Sequence, residues 1–188
     1  MHVSMHGPVS GGADVLLTDR LELRRWSEDD RRGWTELCRD PEVMRFIGAG
    51  VTWDADQIAA GFERNLLRWE QDGFGWRSIR VRDTGQWAGF VALNRLDGAA
   101  TRMMRRGDLE IGWWLARSAW GRGYASEAAA AARAEAFGRL ACTRLIARVR
   151  PENAASAKVA ERLGMHLLGG DVGRSGEPIL VYGLDRPR

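Results

Sequence analysis

A strand-like run, Leu109-Glu110-Ile111-Gly112-Trp113-Trp114-Leu115, leads into Trp120-Gly121-Arg122-Gly123-Tyr124-Ala125 and then at once into an alanine-rich helical pattern. This succession constrains the fold more than any other part of the chain. A strand that feeds a glycine turn and then a helix N-terminus makes a place for an anion. The N–H groups of the first helical turn have no intrahelical acceptor, and the helix dipole favours negative charge there. Gly121 and Gly123 permit positive φ, so successive N–H groups can line a concave nest. Two familiar phosphate loops are excluded by inspection. There is no G-x-x-x-x-G-K-[ST], and no G-x-G-x-x-G follows an N-terminal strand. Taken alone, the turn that remains serves equally well as a plain strand-to-helix connection.

Periodicity supplies the rest of the architecture. Residues 17–24 alternate apolar and polar and predict a first strand. Residues 28–39 predict a helix behind a Ser27 cap, and residues 54–71 a second, with Ile58, Phe62, Leu66 and Trp69 at helical spacing. Residues 75–82 and 87–94 flank Asp83-Thr84-Gly85, a hairpin signal. Residues 109–115 and 144–150 read as strands, and residues 124–140 and 153–163 as helices. Strands at 165–171 and 179–184 close the sheet. The expected class is α/β (α+β): one domain with a mixed, mostly antiparallel seven-stranded sheet flanked by about four helices. Residues 1–14 read as a loose tail and residues 15–188 as the domain.

Composition narrows the function classes. A chain of 188 residues can bury one real core. No apolar stretch is long enough to span a membrane, and the tail lacks the apolar core of a secretory signal, so a cytoplasmic location is expected. Cys38 and Cys142 fit a reduced compartment, and neither they nor His2, His6 and His166 have metal-site spacing. No metal is expected. The net charge of +3 implies no strong nucleic-acid field, although Lys158 is the only lysine among many arginines. Arg102, Arg105 and Arg106 form one local basic cluster, read as a solvated loop.

After the glycine turn comes Glu152-Asn153-Ala154-Ala155-Ser156, opening a short helix that ends Glu161-Arg162-Leu163-Gly164-Met165. With Glu110 ahead of the turn, the three motifs in this order resemble the GCN5-related N-acetyltransferase (GNAT) superfamily. Within it the chain is similar to the ribosomal-protein alanine acetyltransferases of the RimJ/RimL kind. The resemblance runs over nearly the whole chain. It implies that acetyl-CoA is the cosubstrate and that the glycine turn holds its pyrophosphate. Trp120, Gly121, Arg122, Gly123, Tyr124 and Ala125 are then cofactor-binding residues. The family pattern has Gln or Arg first, where this chain has Trp120. That departure matters little if backbone N–H groups bind. Arg122 is a further cation for a phosphate, or a solvated arginine.

The resemblance also implies that the pantetheine arm lies along the strand before the turn, on the main-chain groups of Trp113, Trp114 and Leu115. Gly112 beside the paired tryptophans hints at a bulge that splays this strand from the next. Asn153 is an ordinary N-cap by position, and by resemblance it meets the pantetheine, with Ser156 near the sulfur or adenosine end. Many superfamily members place a tyrosine acid four residues beyond this serine, where this chain has Ala160. Ser156, Tyr182 or water is left to protonate the departing thiolate.

Transfer to an amine needs the amine neutral. An α-amine with a pKa of roughly 7.7–8.0 is about one tenth neutral at pH 7, whereas a lysine near 10.4 costs about 3 kcal/mol more. A carboxylate base acting through water meets that need, and Glu110 is the candidate, on position and by resemblance. The acceptor is read as a primary amine, a peptide N-terminus or a small amine. Residues 40–53, 95–108 and 171–178 are candidate acceptor walls. An antibiotic amine as acceptor, a non-catalytic acyl-CoA-binding role, a ribosome- or RNA-associated role and a homodimer all remain open.

Overall fold

The computed structural model describes residues 14–95 and 102–187. An eight-stranded sheet runs β1 (Val15–Leu17), β2 (Leu21–Arg25), β3 (Trp76–Val81), β4 (Trp87–Arg95), β5 (Leu109–Leu115), β6 (Arg144–Val149), β8 (Pro178–Asp185), β7 (His166–Val172) across its width. All neighbours are antiparallel except β5 and β6. Five α-helices cover it: α1 (Arg31–Arg39), α2 (Pro41–Met44), α3 (Ala55–Asp72), α4 (Tyr124–Phe137) and α5 (Ala154–Arg162).

The first expected strand is two. Thr18 Oγ1 accepts from the Leu21 N–H at 3.0 Å, and the Thr18 N–H donates to the Leu21 carbonyl at 2.9 Å, so the chain turns between them. This makes eight strands where seven were expected. The extra helix, α2, has only four residues, with Pro41 at its start and Asp40 capping Glu42. Such a turn carries no periodicity to read. The Ser27 signal marks a short 3-10 turn, Glu28–Asp30, that leads into α1. α3 starts where Asp54 and Gln57 cap one another, at 2.8 and 3.0 Å.

Both faces of the sheet are covered, which explains why β4 and β5 are apolar on successive residues. On one face Leu109, Ile111 and Leu115 of β5 meet the alanines of α4, with Val159 and Ala160 of α5 in the same core. On the other face Phe90 and Ala92 meet Trp26, Trp34 and Phe62 under α1 and α3. Trp113 faces the first layer, and Trp114 the second, where it stacks on Trp34 at 5.8 Å. The adjacent tryptophans therefore obey strand alternation.

The expected bulge at Gly112 is not there. The β4–β5 register runs without a shift from Arg95↔Leu109 to Gly89↔Leu115. The irregularity lies one strand over, in β4, where Ile79 pairs with Gly89 but Arg80 with Trp87. Gly89 has φ of 134°, and a Cβ there would lie 2.2 Å from the Trp114 carbonyl oxygen. Only glycine fits that approach.

Candidate active site

The splay that the sequence reading attributed to a bulge exists, with a different origin. β5 and β6 are parallel and pair only at Leu109↔Leu145 and Glu110↔Ile146. Beyond Glu110 the two strands part, and a cleft of about 320 Å³ opens between them. Its lining includes Glu110, Ile111, Gly112, Trp113 and Trp114 from β5, Ala147 to Val149 from β6, and Asn153 and Ser156 at the start of α5.

Alternation decides which β5 groups face the gap. The Ala116 N–H donates to the Ala88 carbonyl at 3.0 Å, in register with the β4–β5 ladder. Even-numbered residues therefore spend their N–H and C=O groups on β4, and odd-numbered residues turn theirs towards β6. The Glu110↔Ile146 bridge takes the Ile111 N–H, so the Ile111 carbonyl and the Trp113 main-chain groups face the cleft. Trp114, expected to do so, has its groups in the ladder and offers its ring. The Leu115 carbonyl is taken by Trp120, whose Nε1–H donates to it at 2.8 Å.

That indole bond folds the glycine turn against the end of β5. Gly121 and Gly123 adopt φ of 70° and 79°, and Gly123 is the residue from which α4 starts. The Glu127 N–H closes the first turn on the Gly123 carbonyl at 3.1 Å. Among the described residues, the N–H groups of residues 121–126 meet no protein acceptor. The nest expected from the sequence is therefore formed and open.

Arg20, which the sequence reading overlooked, braces it. Its Nη1 donates to the Arg122 carbonyl at 2.8 Å, and its Nε to Glu127 Oε2 at 2.7 Å. Burial pushes the Glu127 carboxyl up. The Thr18 hydroxyl and Arg20 outweigh that and hold it below its ordinary value. Arg122 itself is exposed, and its Nε donates to the Ser118 carbonyl at 3.1 Å.

Glu110 lies in the cleft, 9 % exposed. Its Oε1 accepts from Arg148 Nε at 2.5 Å, while Oε2 makes no hydrogen bond among the described residues. Burial works against the Arg148 charge, but Glu110 and Glu177 outweigh it and raise the guanidinium above its ordinary value. Trp76, Phe90 and Trp114 form an aromatic wall on the same side of the sheet. Phe46, Ile47 and Gly48 after α2, and Arg174, Ser175 and Glu177 between β7 and β8, close the cleft. Arg150 ties that rim to β6, its Nη1 donating to the Gly48 carbonyl at 3.2 Å. Two of the three expected acceptor walls are thus at the cleft. The described part of the third is held elsewhere by Arg144, which binds Asp108 and the Met103 carbonyl.

Asn153 caps α5, its Oδ1 accepting from the Ser156 N–H at 3.1 Å. That leaves the Asn153 amide group for the cleft. Tyr182 is not brought to the cleft. It sits opposite Ala147 in the β6–β8 ladder, on the α4 face of the sheet, and is buried in that core. The missed Arg148 had a signal: Arg144, Arg148 and Arg150 recur at even spacing in a strand, which puts three cations on one face. No group of three or more His, Cys, Asp or Glu able to hold a metal occurs among the described residues, and no described helix is long and apolar enough to cross a membrane.

Comparisons with known proteins agree with this geometry. The family model for the acetyltransferase (GNAT) domain matches residues 20–166. The chain is 31% identical over 155 residues to the uncharacterized N-acetyltransferase p20 of Bacillus licheniformis, covering 80% of this chain and 81% of that one. The acetyltransferase from Agrobacterium tumefaciens str. C58 superposes with a TM-score of 0.76 at 32% identity, over 90% of this chain and 93% of its own. RimL, a ribosomal L7/L12 alpha-N-protein acetyltransferase in complex with coenzyme A, shares the fold with a TM-score of 0.73 at 19% identity, over 91% and 97%. A GNAT-domain match across most of the chain, together with an open β5–β6 fork and an unfilled N–H nest, makes this protein an acetyltransferase of the GNAT family.

Proposed function

We propose that this protein is an acetyl-CoA-dependent N-acetyltransferase that acts by direct attack of a primary amine in a ternary complex, and that the amine is a protein N-terminal α-amine. The β5–β6 fork carries the reading, because it frees the Ile111 carbonyl and the Trp113 backbone beside a carboxylate. Acetyl-CoA, when bound, supplies the thioester whose acetyl group is transferred. The N–H groups of residues 121–126 fit its pyrophosphate, since they are oriented, unfilled and at a helix N-terminus. Ile111 and Trp113 fit an amide-bearing arm that adds to a strand edge.

Glu110 Oε2 receives the proton of the acceptor ammonium, directly or through water, while Arg148 fixes Oε1. The aromatic wall of Trp76, Phe90 and Trp114 excludes water around that amine, and loss of water favours the neutral amine. Ser156 Oγ is the proton donor nearest the α5 start, and a thiol with a pKa of about 8.5 needs no strong acid. The preference for an α-amine rests on its lower pKa and on RimL, which acts on a protein α-amine.

The test has two parts. Acetyl-CoA at a hundred times its Kd should stabilise the protein by about 2.7 kcal/mol in thermal unfolding. Gly123→Asp should remove that shift and Gly123→Asn should keep most of it, since only the first puts negative charge in the nest. Thiol release across a panel of peptide and small amines then identifies the acceptor. No stabilisation at millimolar acetyl-CoA would refute the donor assignment.

A further inference from the structure

The mouth of the cleft carries more positive charge than its own carboxylates can answer. Arg174 stands on the turn between β7 and β8, lines the cleft and is exposed. Arg68 of α3 is half-buried, and its Nη1 donates to Asn94 Oδ1 at 2.5 Å. Asn94 is the residue opposite Glu110 in the β4–β5 ladder, so Arg68 reaches the neighbourhood of the proposed base. Among the described residues, neither Arg64, Arg68 nor Arg174 forms an ion pair. Burial, with the charges of Arg64 and Arg174, holds the Arg68 guanidinium below its ordinary value. Arg64 and Arg174 each disfavour the charge on Arg68, against the weaker opposing effect of Glu110 and Asp72.

The nearby acids each have another partner and do not offset burial and the two arginines at Arg68. Glu110 Oε1 is bound by Arg148, Asp72 pairs with Arg95 at 3.5 Å, and Glu177 Oε2 accepts from the Ser175 N–H at 2.8 Å. Like charges gathered in a cleft without a counter-ion destabilise the free protein and favour an anionic visitor. A polyamine would meet repulsion from Arg68 and Arg174 as it approached Glu110. An amine with a carboxylate a few bonds away would not. Its ammonium lies against the aromatic wall and Glu110, and its carboxylate meets the arginines, for which guanidinium geometry is suited.

We propose that the acceptor is an acidic primary amine, with its carboxylate read by Arg174 at the cleft mouth and favoured by the charge of Arg68 behind Asn94. This rests on the acetyl-transfer reading above; a peptide source narrows its protein α-amine, and a free amino acid would replace it. Two sources share the chemistry: a free acidic amino acid, and a peptide whose N-terminal residue is followed by Asp or Glu.

The experiment measures thiol release at saturating acetyl-CoA with glutamate, glutamine, an N-terminal peptide bearing Glu at its second and third positions, the same peptide with Gln there, and spermidine. At least one acidic acceptor should exceed its Gln counterpart in kcat/KM by roughly tenfold, the scale of a charged hydrogen bond. Glutamate or the peptide, whichever is turned over, identifies the source. The acidic preference should shrink with added salt and collapse in Arg174→Gln, which alters an exposed turn residue and no core contact. Arg68→Lys keeps the charge and should retain part of the preference that Arg68→Gln loses. Equal or better turnover of the Gln acceptors or spermidine overturns the inference and leaves acetyl transfer standing. So does an Arg174→Gln enzyme whose preference is unchanged. Silence with every amine, while acetyl-CoA still raises the melting temperature, overturns the transfer reading and the inference with it.

Discussion

Glu135→Gln is the sharpest test of what holds α4, the helix behind the glycine nest, in place. Glu135 lies in α4, and Arg77 in β3 donates to it twice, at 2.9 and 2.6 Å. Their side chains are only 3 % and 2 % exposed. Arg139, one turn on, adds bonds of 3.1 and 2.6 Å to the same carboxylate. Gln keeps the shape and one acceptor but removes the charge opposite a buried guanidinium. Breaking one side of such a pair costs about 3–5 kcal/mol. Arg77 keeps a carbonyl acceptor on Asp14 at 3.2 Å and the Trp69 ring at 4.9 Å, so the lower end, about 3 kcal/mol, is expected. In a domain of this size each kcal/mol moves Tm by about 2–4 °C, so Tm should fall by roughly 6–12 °C at neutral pH. Circular dichroism melts of the ligand-free proteins measure it. A fall under roughly 2 °C would refute the view that this carboxylate balances Arg77.

The same pair has a pH signature. Burial pushes the Glu135 carboxyl up, but Arg77 and Arg139 outweigh it and hold the group below its ordinary value of 4.5. A depressed folded pKa gives stability that is fully present above that ordinary value and is lost as pH falls through the folded one. The Tm gap between wild type and Glu135→Gln should therefore be constant near neutrality and narrow as pH drops below 4.5. A gap that stays constant under acid would contradict the assignment.

The sequence was legible wherever local chemistry and periodicity agreed. The apolar spacing of residues 54–71, the Asp83-Thr84-Gly85 turn and the alanine-rich run each announce their element: α3 stands within a residue of its expected place, and α4 starts at the expected Tyr124 and ends three residues early, at Phe137. The glycine nest was legible because its conformation depends on its own residues. What escaped depends on pairing between distant segments. Nothing local in β5 says that β6 parts from it after Glu110. The bulge hinted at by Gly112 is found instead in β4 beside Gly89, where the close approach is to the Trp114 carbonyl on the neighbouring strand. Arg20 was invisible for the same reason, since it acquires its place from Glu127 far along the chain, and the even spacing of Arg148 with Arg144 and Arg150 gave a face but not its partner, Glu110.

Glu110→Gln should lower kcat by about 10²–10⁴ at neutral pH with acetyl-CoA affinity nearly unchanged, and a rate within about twofold of wild type would remove it as the base. Gly89→Ala should destabilise by more than about 2 kcal/mol in urea unfolding, because its Cβ would lie 2.2 Å from a carbonyl oxygen, and a neutral effect would refute the strain argument. Cys38, whose thiol burial pushes up to about 12, should resist alkylation in the native protein, and fast labelling at neutral pH would show that α1 opens. The proton donor is decided by comparing Ser156→Ala with Tyr182→Phe. Ser156 lines the cleft, whereas Tyr182 is buried in the core shared by α4 and α5 and does not line it. Ser156→Ala should therefore lower kcat by up to about 10²-fold and change its alkaline limb, and Tyr182→Phe should leave that limb in place. If Tyr182→Phe alone removed the limb, Tyr182 would take the acid role, reaching the cleft past Ala147, its ladder neighbour on the same face, and the preference for Ser156 would be refuted.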